Sequence, residues 1–286
     1  MTARWWTAWS VDPAVLSGVL LVAWAYWVGV RLLSERSRVA TRGRALAFAA
    51  GLATVLVALV SPVDTLAGRS LSAHMVQHLL LILVAAPLLV LGRPALPMSL
   101  ALPTWVRLAL RRATRRRALS AAGRLLRHPV VAWLLHVSVL WAWHAPGPYQ
   151  AALASRWVHA LEHATFLGTA ALFWWVALAP GPRRVLARGA DVVYVLAAWL
   201  QSGALGALFT FAASPLYPVY ARLTADPLRD QQVAGLLMWI PAGLVYLGAA
   251  AALALGWLRS LERATPRLHR EGTAAAAEVA RTGGHP

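Results

Sequence analysis

Seven apolar runs of membrane-spanning length dominate this chain, at about 13–33, 45–61, 71–92, 129–145, 157–179, 191–213 and 231–258. A helix needs about 20 apolar residues to cross a hydrocarbon core of roughly 30 Å. The runs at 45–61 and 129–145 sit at the lower limit of that length. Lipid offers no water to the backbone, so only helices and closed barrels cross it, and these runs lack the alternation of barrel strands. The pattern predicts an all-α integral membrane protein, a bundle of about seven transmembrane helices forming a single domain over residues 1–260. Composition agrees. The chain is 59% hydrophobic and 13% charged, against roughly 45–50% and roughly 25% in soluble domains.

Charge sets the orientation. The first run reads as a retained span, because its arginines (Arg31, Arg36, Arg38, Arg42, Arg44) follow the apolar stretch and do not precede it. Arg-rich short loops stay in the cytoplasm. Segments 31–44, 93–127, 183–188 and 259–281 carry five, nine, three and five arginines, whereas the alternate segments hold Arg4, Arg69, Arg156, Arg222 and Arg229. That alternation supports seven spans, an outer N-terminus and a cytoplasmic C-terminus. A net charge of +17 would suggest nucleic acid in a soluble protein. Here the positives lie between apolar spans, which points to anionic lipid and not to nucleic acid. Segment 104–127 interleaves Trp105, Leu108, Leu119, Leu125 and Leu126 with Arg107, Arg111, Arg112, Arg115, Arg116 and Arg117. It reads equally as a basic amphipathic helix on the inner leaflet or as a plain retention signal. Residues 261–286, rich in Ala, Gly and Arg, read as a disordered cytoplasmic tail.

Five of the nine histidines fall at outer helix ends. His74 and His78 open the third span, His144 closes the fourth, and His159 and His163 open the fifth. Residues at i and i+4 share a helix face, so each pair can present two imidazoles to one cation. Ionisable groups in a span are costly and face the bundle interior or a water-filled cavity. For one histidine, a hydrogen bond to backbone or headgroup suffices as an explanation; two spaced pairs and a fifth residue at one depth favour a metal site. Met75 and Met238 offer thioethers. Gln77, Glu162 and Asp230 are candidates to orient the imidazoles, with helix–helix hydrogen bonding and helix N-terminus stabilisation as the alternatives for Gln77 and Asp230. His136 lies mid-span, two turns from His144, placed to pass an ion or proton inward or to bond a neighbouring carbonyl. With no cysteine in the chain, imidazole, carboxylate and thioether narrow the metal to copper or zinc, copper preferred.

The runs His74-Met75-Val76-Gln77-His78-Leu79-Leu80-Leu81, Gly92-Arg93-Pro94, Trp143-His144-Ala145-Pro146, His159-Ala160-Leu161-Glu162-His163 and Asp230-Gln231-Gln232-Val233-Ala234-Gly235-Leu236-Leu237-Met238-Trp239, with Pro87, resemble the multi-span CtaG family of bacterial cytochrome c oxidase assembly factors. The resemblance runs from about residue 10 to 260. It implies a non-catalytic, seven-span protein of the bacterial cell (inner) membrane. It implies a role in maturing haem–copper oxidases by handling copper, with oxidase subunits or other copper-handling assembly proteins as partners. Two other classes compete. His159-Ala160-Leu161-Glu162-His163 matches the H-x-x-E-H pattern of some zinc peptidases, where the Glu serves as general base. Histidines on facing helices also suit axial haem ligation.

Overall fold

The computed structural model describes residues 7–33, 41–179 and 184–282, with side chains described as far as 263. Of the arginines counted above, Arg4, Arg36, Arg38 and Arg183 lie outside the described residues. The regular structure of the described residues is helical, without strands. Six helices are long and apolar enough to cross a membrane, or seven if a bent pair counts as one crossing.

Local sequence explains most of the boundaries. Helix α1 (Pro13–Leu32) starts where Asp12 accepts from the amides of Ala14 and Val15, with proline at the first turn. Thr41 caps α2 (Arg42–Val60), and Ser61 caps the short α3 (Pro62–Ala67). The third crossing, 71–91, is built from α4 (Leu71–Leu79), a π-helical stretch (Leu80–Ala85) and α5 (Ala86–Leu91). Its irregularity has an identifiable cause. In the π stretch the Ala86 amide bonds the Leu81 carbonyl, five residues back. The next bond in that register would start from Pro87, which has no N–H. The Ile82 carbonyl is therefore free, and Trp174 fills the gap by donating its indole N–H at 2.9 Å.

Short helices α6 (Ala95–Ala101), α7 (Thr104–Arg115) and α8 (Arg117–Leu126) follow. Neither α7 nor α8 has a buried residue, so the basic segment is helical and lies outside the bundle core. Extended backbone at His128, the conformation that a following proline imposes, then turns the chain by 70° into α9 (Pro129–His144). At 16 residues, α9 reaches membrane-spanning length only together with α8. Helix α10 (Pro146–Ala154) covers the end of the bundle, and α11 (Arg156–Leu178) and α12 (Ala190–Thr210) cross again. A 3₁₀ turn (Pro218–Arg222) precedes α13 (Pro227–Thr282). The sequence suggests a disordered tail from 261, but the helix continues to Thr282; Ala, Glu and Arg, common there, are strong helix formers.

Small residues let α12 and α13 approach closely. A Cβ on Gly206 of α12 would lie 2.8 Å from the Gly235 carbonyl, and one on Gly235 of α13 would lie 2.5 Å from the Gly206 carbonyl. Backbones meet there as they do in membrane helix pairs generally. One continuous core of Phe166, Phe173, Trp174, Phe209 and Tyr246 joins α9, α11, α12 and α13 to the third crossing. Outward-facing Leu20, Val193 and Leu244 are more than 60% exposed, which suits a lipid environment.

Candidate metal centre

Three crossings bring their histidines to one end of the bundle. On α4, His74 and His78 lie one turn apart and are fully buried, with Nε2 atoms 2.9 Å from each other. On α11, the buried stripe runs Glu162, His163, Phe166, Ala170 and Phe173. That stripe faces α4 and aims the Glu162 carboxylate among the imidazoles. Glu162 oxygens lie 3.8 Å from His74 Nε2, 3.7 Å from His78 Nε2 and 3.9 Å from His159 Nε2. One ligand atom each from His74, His78, Glu162 and His163 falls within 4.8 Å of the others.

The sequence expectation differs from this in one respect. It places Glu162 beside the site and His159 within it. Instead, Glu162 is completely buried at the centre, and the His159 side chain is 27% exposed at the edge, its ring 4.2 Å from that of His163. The reason is depth along the helix. His159 shares the face of the stripe but lies one turn nearer the start of α11 than His163, toward the end of the bundle.

The donor set suits a cation. Both Glu162 oxygens, His159 Nε2 and His163 Nε2 are buried without a hydrogen-bond partner among the described residues. Buried polar atoms are normally satisfied, and a group of unsatisfied nitrogens and oxygens pointing at one spot is the arrangement a bound ion resolves. Imidazole and carboxylate are ligands for copper and zinc alike.

His144 is buried beside His78, with ring centroids 6.0 Å apart. Its Nδ1 donates to the Leu140 carbonyl at 2.7 Å, and its Nε2 lies 3.2 Å from Met75 Sδ. Met238 borders the same small cavity as Met75, His78 and His144. His136 is buried farther along α9, stacked on Phe173 at 5.0 Å and apart from the cluster.

Gln77 and Asp230 position helices and do not touch the imidazoles through their hydrogen bonds. The Gln77 amide donates to the Ala58 carbonyl at 2.9 Å and to Asp64 at 2.8 Å, tying α4 to α2 and α3. Asp230, on α13, accepts from the Leu71 amide at 2.6 Å, the Ser72 amide at 3.2 Å, and the hydroxyls of Ser70 and Ser72 at 2.8 and 2.6 Å. A carboxylate thus caps the helix that carries His74 and His78, across 160 residues of chain.

Sequence reasoning missed the cover of the site. Tyr149 stacks on Tyr217 at 4.1 Å, its hydroxyl meets that of Tyr220 at 2.7 Å, and its ring lies 5.1 Å from His74. Tyr217 donates to the His144 carbonyl at 2.6 Å. Burial raises all three phenols above their ordinary value, which keeps them protonated. Gln231 accepts from the Leu216 amide at 2.6 Å and so holds the Tyr217 loop. The available signal was Asp230-Gln231 itself, two adjacent polar residues at the start of an apolar run.

An uncharacterized protein of Mycobacterium bovis is 25% identical over 291 residues, covering 94% of this chain and 42% of that protein. One of Mycobacterium leprae is 25% identical over 295 residues, covering 93% of this chain and 42% of that protein. The chain therefore spans less than half the length of these curated relatives. No solved structure matches. The family model for the cytochrome c oxidase caa3 assembly factor (Caa3_CtaG) matches residues 24–260, and both histidine pairs, His144 and the Asp230–Met238 segment lie inside it: this chain belongs to that family.

Proposed function

We propose that the chain serves cytochrome c oxidase assembly by holding copper at His74, His78, Glu162 and His163 and releasing it to the oxidase. The observation that carries this reading is the convergence of four buried ligand atoms within 4.8 Å, the Glu162 oxygens and His163 Nε2 unpartnered. Copper is the cargo, and the chain's residues supply ligands, orientation and cover. Asp230 and Gln77 fix the helix that presents His74 and His78. The tyrosine cover restricts water at the cluster, and His159 stands at its more exposed side. Mixed imidazole and carboxylate ligands without thiolate suit a site that must release its ion. Copper is preferred to zinc because the thioethers of Met75 and Met238 border a cavity that His78 also borders.

Copper content of the purified protein tests this. Wild type should retain copper, and the double variants His74→Ala/His78→Ala and His159→Ala/His163→Ala should lose most of it while still inserting in the membrane. Unchanged copper in both would overturn the reading.

The cluster is proposed to face outward from a bacterial cell membrane, with the arginine-rich helices α7 and α8 against anionic lipid of the inner leaflet. A reporter fused after Pro286 should then be active only in its cytoplasmic form. An extracytoplasmic signal would invert the topology and put the histidines on the inside.

A further inference from the structure

Behind the imidazole–carboxylate cluster lies a second group of ligands with different chemistry. His144 donates from Nδ1 to a backbone carbonyl, so in the neutral ring its lone pair is on Nε2. That nitrogen points at Met75 Sδ, 3.2 Å away. Two lone-pair atoms facing each other gain little by themselves, and both side chains are more than nine-tenths buried. Beside them is a small cavity of about 20 Å³ bordered by Met75, His78, His144, Ser202, Met238 and Tyr246. That volume holds roughly one water-sized particle. The hydroxyls of Ser202 and Tyr246 are the other polar groups of its lining, the rest of which is aliphatic, and Met238 is 3% exposed. A thioether and an imidazole around a mostly apolar void suit a soft, singly charged cation and disfavour a hard or strongly hydrated one. With bonds like those zinc makes to nitrogen and sulfur, about 2.0 and 2.3 Å, the two atoms would reach one ion at a bent angle.

We propose that Met75, His144 and Met238 form a second, soft-cation position selective for Cu(I), separated from the His74–Glu162–His163 cluster by His78. His78 belongs to both walls. It sits 2.9 Å from His74 on one side and borders the cavity on the other. A cation can therefore exchange between an imidazole–carboxylate site and a thioether–imidazole site through one shared ring. The proposal extends the copper reading above and rests on it for the identity of the ion.

Purified full-length protein in detergent, titrated separately with Ag(I) and Co(II), tests it. Ag(I) reports soft ligands, and Co(II) reports the imidazole–carboxylate cluster through its visible absorption. The variant Met75→Leu/Met238→Leu conserves side-chain volume. It should weaken one Ag(I) equivalent at least tenfold and leave the Co(II) spectrum unchanged, which also shows that the bundle is intact. His74→Ala/His163→Ala should do the reverse. Undiminished Ag(I) affinity in the methionine variant, or equal loss of both ions, would overturn the second position. Absence of Co(II) binding in wild type, with Ag(I) binding still dependent on Met75, would instead sink the cluster reading and leave the soft position standing.

Discussion

Cells carrying His163→Ala are expected to contain oxidase polypeptides but little oxidase activity, as in a deletion strain, with added copper restoring part of it. His78→Ala should match it. The reasoning starts at the ligand atoms. His163 Nε2 is buried and unpartnered, and His78 lies between the cluster and the thioether cavity. Loss of a ligand costs more than loss of an orienting partner, which is itself worth about 10–100-fold in metal affinity. In the copper reading proposed above Glu162 belongs with the ligands, because its carboxylate lies within 4 Å of three imidazole nitrogens. Glu162→Gln should therefore lose copper and maturation together. Oxidase activity, haem and subunit content measured in one set of membranes distinguish these outcomes. Normal oxidase activity with His163→Ala would remove the cluster from the function. Copper retained by Glu162→Gln with maturation lost would mean that Glu162 performs chemistry, and the H-x-x-E-H hydrolase reading would move to first place.

Asp230→Ala is expected to destabilise the protein by on the order of 2–4 kcal/mol, because four donors at the start of α4 lose a charged acceptor. Two of those donors are amides at a helix N-terminus, where a negative charge is favourable. The metal should go with it. His74 lies three residues beyond Leu71, and fraying of that first turn displaces its imidazole. Asp230→Asn keeps one carbonyl acceptor and the side-chain volume, so its loss should be smaller. Thermal unfolding in detergent, read with copper content, checks both variants. Wild-type stability in Asp230→Ala would show that solvent or lipid headgroups replace the cap at no cost.

What could be read from the sequence follows from local rules. Apolar length identified the helices long enough to cross a membrane, and the i, i+4 spacing placed His74 with His78 and His159 with His163 on single faces. Each property depends on a few neighbouring residues and on the 3.6-residue period. The rotation and depth of one helix against another do not. They decided that Glu162 occupies the centre and His159 the edge, and that Gln77 turns toward Ala58 and Asp64.

Long-range pairing was equally out of reach. Asp230 meets Ser70 across 160 residues, and His144 meets Met75 across 69. Nothing in the spacing of those residues links them, because their proximity is set by how α4, α9 and α13 pack, and packing depends on the shapes of all the buried side chains together. By itself the sequence determined an all-helical membrane bundle with its histidines gathered at one end. Tertiary structure alone divided those histidines between an imidazole–carboxylate group and a thioether cavity, since only helix rotation and depth decide which buried atoms face one another.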